Sequence, residues 1–193
     1  MILNMCFDLY AEYFDLQLNE FSSTISPKIG QWTNLKHFAV GDNRLTGPLP
    51  IDALQKLTKL HLFVISANRL EGRPFDAATS WLQLVEFGLY DMPFIEGSIP
   101  TSIGKLSMLV HLFIDNLDSV IPTEIGLLTN LVTFHFTTPG TAIEGLDSNM
   151  TATLPTEMGL LTDLKSIIIQ SNDEIRGTIP TGKRQKSTRI SDS

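Results

Sequence analysis

Apolar residues recur in this chain as a short, repeated figure. A leucine opens each unit, and apolar residues follow it three and five positions later. The units read Leu35, Phe38, Val40; Leu60, Phe63, Ile65; Leu84, Phe87, Leu89; Leu109, Leu112, Ile114; Leu131, Phe134, Phe136; and Leu164, Ile167, Ile169. An earlier, degenerate copy opened weakly by Ala11 supplies Phe14 and Leu16. Successive leucine openers are 25, 24, 25, 22 and 33 residues apart. Apolar residues two apart suit one face of a short strand and leave the other face free. The pattern therefore predicts about seven short strands, one per unit. No such unit can bury its apolar face alone, but stacked units share a continuous core. The expected sheet is parallel, with strands about 4.8 Å apart and a total length of roughly 30 Å.

The second half of each unit repeats as well. Gly47-Pro48-Leu49-Pro50, Gly97-Ser98-Ile99-Pro100 and Gly177-Thr178-Ile179-Pro180 are copies of one segment. Ile29-Gly30, Ile103-Gly104, Ile125-Gly126 and Met158-Gly159 each lead into the next opener, and 122–131 (PTEIGLLTNL) nearly duplicates 155–164 (PTEMGLLTDL). The prolines begin a non-helical return, the glycines permit turn conformations, and the I-G-x-L segment predicts a brief helical turn. Asn19, Asn43, Asn68 and Asn172 stand three residues after the second strand hydrophobe. There an inward amide can satisfy the backbone of a buried turn with both donors and acceptors.

Over roughly residues 11–181 these motifs resemble the plant-type leucine-rich repeat, L-x-x-L-x-L-x-x-N-x-L-x-G-x-I-P-x-x-I-G-x-L-x-x-L. The resemblance implies an α/β solenoid wound as a right-handed coil. Its concave side carries short parallel strands, its convex side is irregular or 3-10, and its asparagines stack as a ladder. The implied division is a degenerate N-terminal edge over 1–13, a solenoid over 14–181 and a disordered basic tail over 182–193.

Some units depart from the pattern. Met92, Leu117 and Ser148 occupy asparagine positions, which predicts an interrupted ladder. Pro74-Phe75 replaces Ile-Pro, and an insertion at about 139–147 (PGTAIEGLD) is expected to protrude beside the concave rim. The family's paired-cysteine caps are missing at both ends. Uncapped coils expose apolar edges, so either residues 1–13 and the tail cover them or the chain is a fragment of a longer product. The abrupt polar turn after Pro180 favours the fragment.

Composition narrows the functional classes. Of 193 residues, 42% are hydrophobic and 18% charged, enough apolar material for one sizeable domain and unlike a disordered chain. The single cysteine, Cys6, excludes an internal disulfide or a multi-thiolate zinc cage and reads as a small buried hydrophobe. The net charge is −7, and the last eleven residues hold four basic residues against one acidic one, leaving about −10 on the body. That charge argues against nucleic acid as a partner. No run is apolar enough to span a membrane, since the longest uncharged stretch, 126–143, contains several polar residues. The first ten residues, MILNMCFDLY, lack the basic start of a signal peptide.

Strand residues between the buried ones must point onto the open face. One column reads Tyr13, His37, Leu62, Glu86, His111, Thr133, Ser166, and the next Asp15, Ala39, Val64, Gly88, Phe113, His135, Ile168. A third reads Gln17, Gly41, Ser66, Tyr90, Asp115, Thr137, Gln170, with Asp42, Asp91, Asn116 and Thr138 just beyond. The centre gathers Glu86, Tyr90, Asp91, His111, Phe113, Asp115, His135 and Thr137 as candidate ligand-binding residues. Aromatic side chains among a few charges are what protein-binding hot spots use.

His37, His111 and His135 have no recurring ligand spacing, so they read as solvated histidines, with no metal and no cofactor expected. Catalytic residues are likewise expected to be none, because no nucleophile–base signature or phosphate loop occurs. Asn149-Met150-Thr151 is a glycosylation sequon beside the insertion. The expected function is non-enzymatic recognition of a protein or peptide through the concave face. The resemblance adds receptor-like ectodomains or secreted inhibitors, hence a cell-surface or secreted location. The alternative is a scaffold or assembly segment self-associating through uncapped ends.

Overall fold

The computed structural model describes residues 10–115, 120–137, 154–170 and 180, and for Gln170 the backbone alone. Each apolar figure of the sequence forms one strand: β1 (Tyr13–Asp15), β3 (His37–Ala39), β5 (Leu62–Val64), β7 (Glu86–Leu89), β8 (His111–Ile114), β9 (Thr133–Thr137) and β10 (Ser166–Gln170). Between the earlier ones lie β2 (Ser22–Ser23), β4 (Arg44–Pro48) and β6 (Arg69–Glu71). The first seven form one parallel sheet in the order β1-β3-β5-β7-β8-β9-β10, which is chain order. This is the concave sheet of a solenoid that advances one strand per turn.

The middle residue of each figure points inward. Phe14, Phe38, Phe63, Phe87, Leu112, Phe134 and Ile167 are in register across the seven strands, and all are buried. The first four rings form a spine with centroids 5.8, 5.5 and 5.8 Å apart. Trp81, fully buried, lies 4.6 Å from Phe63, and its indole N–H donates to the Leu54 carbonyl at 3.0 Å. Buried tryptophan requires such a partner for its one donor.

The chain returns through 3-10 turns at Pro27–Gln31, Thr101–Lys105, Thr123–Leu127 and Thr156–Leu160. In two coils the return is instead a four-residue α-helical turn, α1 (Ile51–Leu54) and α2 (Phe75–Ala78). The Pro74-Phe75 departure thereby finds its place: Phe75 opens α2, is buried, and meets Phe87 edge-on at 5.2 Å. Glycines in these segments have two physical reasons, of which the sequence suggests one. Gly97 adopts φ 101° and serves the turn. Gly126 is needed for contact: a Cβ there would lie 2.5 Å from the carbonyl oxygen of Glu157 on the next coil.

A second sheet, β2-β4-β6, is an addition to the convex architecture expected from sequence. Its extent follows the asparagine ladder. Asn43 accepts from the Phe21 N–H at 2.9 Å, and its amide donates to the carbonyls of Leu16, Gly41 and Val40 at 2.8, 3.0 and 3.1 Å. Asn68 repeats the arrangement one coil later, accepting from Leu45 at 2.8 Å and donating to Val40, Ile65 and Ser66 at 2.9, 3.0 and 3.2 Å. Each amide thus ties two coils together and holds the stretch entering β2 or β4. Met92 has no amide to offer, and beyond β6 the second sheet shrinks to a single bridge, Gly72 to Ile95. The ladder residue Asn172, Leu117, Ser148, Cys6, the insertion at 139–147 and the basic tail lie outside the described residues.

Candidate ligand-binding face

Beside each asparagine slot the backbone makes an unusual turn. Leu18, Asp42, Ala67 and Asp91 have φ of 55, 54, 50 and 50°. A left-handed conformation costs a non-glycine residue on the order of 1 kcal/mol. Inter-coil bonds hold it: Leu18 N–H donates to Gly41 at 3.1 Å, Asp42 N–H to Ser66 at 2.9 Å and Ala67 N–H to Tyr90 at 2.9 Å. In the fourth coil a side chain takes over, and Asp91 N–H donates to Oδ2 of Asp115 at 3.3 Å. These turns set Asp42 and Asp91 at the end of the concave columns, beside Tyr90.

Tyr90 is anchored through its backbone, whose N–H donates to the fully buried Ser66 hydroxyl at 3.1 Å. Its phenol lies near the Asp42 carboxylate, which favours the protonated hydroxyl. Burial pushes the Tyr90 hydroxyl above the ordinary tyrosine range, and the Asp42 carboxylate, then the charges of Asp91 and Glu86, push it further. All three carboxylates make the potential at this ring negative.

On the other side of Asp91 an aromatic row crosses two strands. His111 and Phe113 lie nearly parallel with centroids 6.2 Å apart, and Phe113 meets His135 edge-on at 6.4 Å. His135 in turn faces Asp115, with Nε2 and Oδ1 3.7 Å apart. That is beyond hydrogen-bond reach, and both atoms are shut off from solvent without a hydrogen-bond partner among the described residues. His37 and Asp15 make the same diagonal across β1 and β3, Nε2 to Oδ2 at 3.6 Å. His37 and His135 thus differ from the freely solvated residues that the sequence suggests. Register explains why: each carboxylate lies two residues beyond the histidine's direct partner, Tyr13 or Phe113.

The structure therefore brings Glu86, Tyr90, Asp91, His111, Phe113, Asp115 and His135 onto one stretch of the open sheet, at β7, β8 and β9 and their C-terminal ends. Thr137 stands one strand past Asp115 in the same column, in register with Gln170. Asp42 and Ser66 join this group through Tyr90, although neither is among the residues that sequence singles out. Ser66 was legible only as a small residue in a column, and its role depends on the cross-coil bond. Asn149 lies outside the described residues. Among the described residues, no group of histidine, cysteine and carboxylate side chains could hold a metal ion. Among those residues, too, no helix is long and apolar enough to cross a membrane.

A parallel one-strand-per-turn sheet and an asparagine ladder define a leucine-rich repeat solenoid, and its repeats are similar to those of plant receptor-like proteins. No family model matches the chain. Over 96 residues it is 34% identical to Receptor-like protein 36 of Arabidopsis thaliana, a match covering 48% of this chain and 13% of that protein. The crystal structure of PEPR1–AtPEP1 superposes with a TM-score of 0.69 at 25% identity, over 82% of this chain and 22% of that one. The plant peptide hormone receptor RGFR1 in complex with RGF2 gives 0.67 at 20% identity, over 93% and 32%. A TDR receptor gives 0.68 at 21%, over 93% and 30%. The chain thus spans 13% of the length of the curated relative and less than a third of these receptor chains.

Proposed function

We propose that this chain is a non-catalytic recognition segment of a receptor-like leucine-rich repeat protein, acting at the cell surface or outside the cell. Its partner is a peptide or an extended protein segment that lies across the concave sheet over Tyr90 and Phe113. The observation that carries this reading is the patch itself. Two aromatic side chains stand on an open sheet face, each held by its neighbours, among charged groups that can fix orientation. Prearranged aromatic anchors lose little side-chain freedom on binding, which is why interfaces favour them. The similarity to Receptor-like protein 36 and to receptors solved with peptide ligands supports the class of partner and the location.

The test is selection of a displayed random-peptide library on the folded chain. Peptides recovered on the native chain are expected to lose at least about tenfold in affinity on a Tyr90→Ala/Phe113→Ala variant. Recovered peptides that bind the folded double variant as well as the native chain would remove this face from the reading.

A further inference from the structure

Resting on that reading, we infer that the ligand of the concave face is basic: an extended peptide that lays an arginine or lysine side chain against Tyr90 and Phe113, between Glu86 and Asp91. The argument is charge complementarity on a face whose strand columns carry no lysine or arginine. Across all three strand columns, from Tyr13 to Ile168, the face holds Asp15, Glu86 and Asp115 but no lysine or arginine, and Asp42 and Asp91 close its end. Of the basic residues flanking the columns, Lys36 pairs with Glu12 at 2.8 Å and Arg44 with Glu20 at 3.1 Å. A peptide carboxylate or an acidic side chain entering here would meet carboxylates with no fixed cation to receive it. A cation would meet the π-faces of Tyr90 and Phe113, which attract it, with carboxylates at the edge.

Two further features fit a cation rather than a merely acidic surface. Glu86 and Asp91 take part in no ion pair among the described residues, so both carboxylates remain available. Besides its burial, the charges of Asp42, Asp91 and Glu86 help hold the Tyr90 proton, and an arriving cation would feel those same charges. Asp42 and Asp115, by contrast, are engaged with Tyr90 and with the Asp91 N–H, so they shape the site more than they bind.

The experiment titrates the isotope-labelled chain with two acetylated, amidated peptides of alternating glycine and arginine or of alternating glycine and glutamate. The arginine peptide is expected to shift the amides of 86–91 and 111–115 and to bind at least about tenfold more tightly than the glutamate peptide. That preference should fall several-fold in Glu86→Gln/Asp91→Asn, substitutions that keep size and shape, and on raising the salt concentration. Absence of the preference, or its survival in the double variant, overturns the inference. Library peptides that depend on Tyr90 and Phe113 but carry no basic residue would overturn it too, and would leave the concave-face reading standing. Library peptides indifferent to Tyr90 and Phe113 would overturn both.

Discussion

Asn68 shows how much one side chain can decide. It is almost fully buried, and its single amide serves three carbonyls and one N–H drawn from two coils. An alanine there leaves the Leu45 N–H and the Val40 and Ile65 carbonyls without that partner, in a place water cannot easily reach. Buried unpaired groups cost about 1–3 kcal/mol each before relaxation. Asn68→Ala is therefore expected to lower unfolding free energy by about 2–4 kcal/mol, measured by urea denaturation. A loss below half a kilocalorie would mean that the ladder bonds are dispensable. The left-handed residues are a subtler case. Nothing in Leu18 or Ala67 announces a positive φ, because neither favours it. The conformation is imposed by N–H groups that must meet carbonyls on the next coil.

At the scale of elements, the repeat works because neighbouring coils touch at fixed points. The convex turns approach so closely at Gly126 that its missing Cβ is occupied by the Glu157 backbone, which cannot rotate away as a side chain would. Gly126→Ala is expected to cost about 2 kcal/mol or more. Gly41→Ala, whose new methyl would meet nothing nearer than 3.4 Å, should cost less than about 1 kcal/mol. Thermal denaturation of the two variants compares them directly, and equal losses would show that the convex contact yields. The strands and convex turns were largely legible from the two-residue alternation and the I-G segments. The second sheet was not, since β2, β4 and β6 carry no periodic apolar signal, and Asn43 and Asn68 hold the chain at β2 and β4 through bonds between coils.

For the whole molecule, stability is a sum over coils and their interfaces, so it should vary along the axis. β5 and β7 are paired on both sides and lie over the Phe38–Phe63–Phe87 spine and Trp81. β1 has one strand neighbour among the described residues. Amide exchange is expected to be at least about tenfold slower in β5 and β7 than in β1, followed residue by residue by NMR. Uniform protection would mean that the coils open as one unit. The candidate face sits on β7, β8 and β9, next to this best-supported stretch, which is where a prearranged binding surface gains most from a stiff base.

The repeat period and the alternation of apolar residues were enough to determine the solenoid, its parallel strands and the columns that reach the open face. Those features depend only on which residues must leave water and how often they recur, and both are written locally along the chain. Tertiary structure decided the rest: that Tyr90 comes near Asp42, that His135 and His37 each face a carboxylate on the diagonal, and that the Asp91 N–H meets Asp115. These depend on contacts between residues some 20 to 48 positions apart, whose geometry exists only once the coils have stacked.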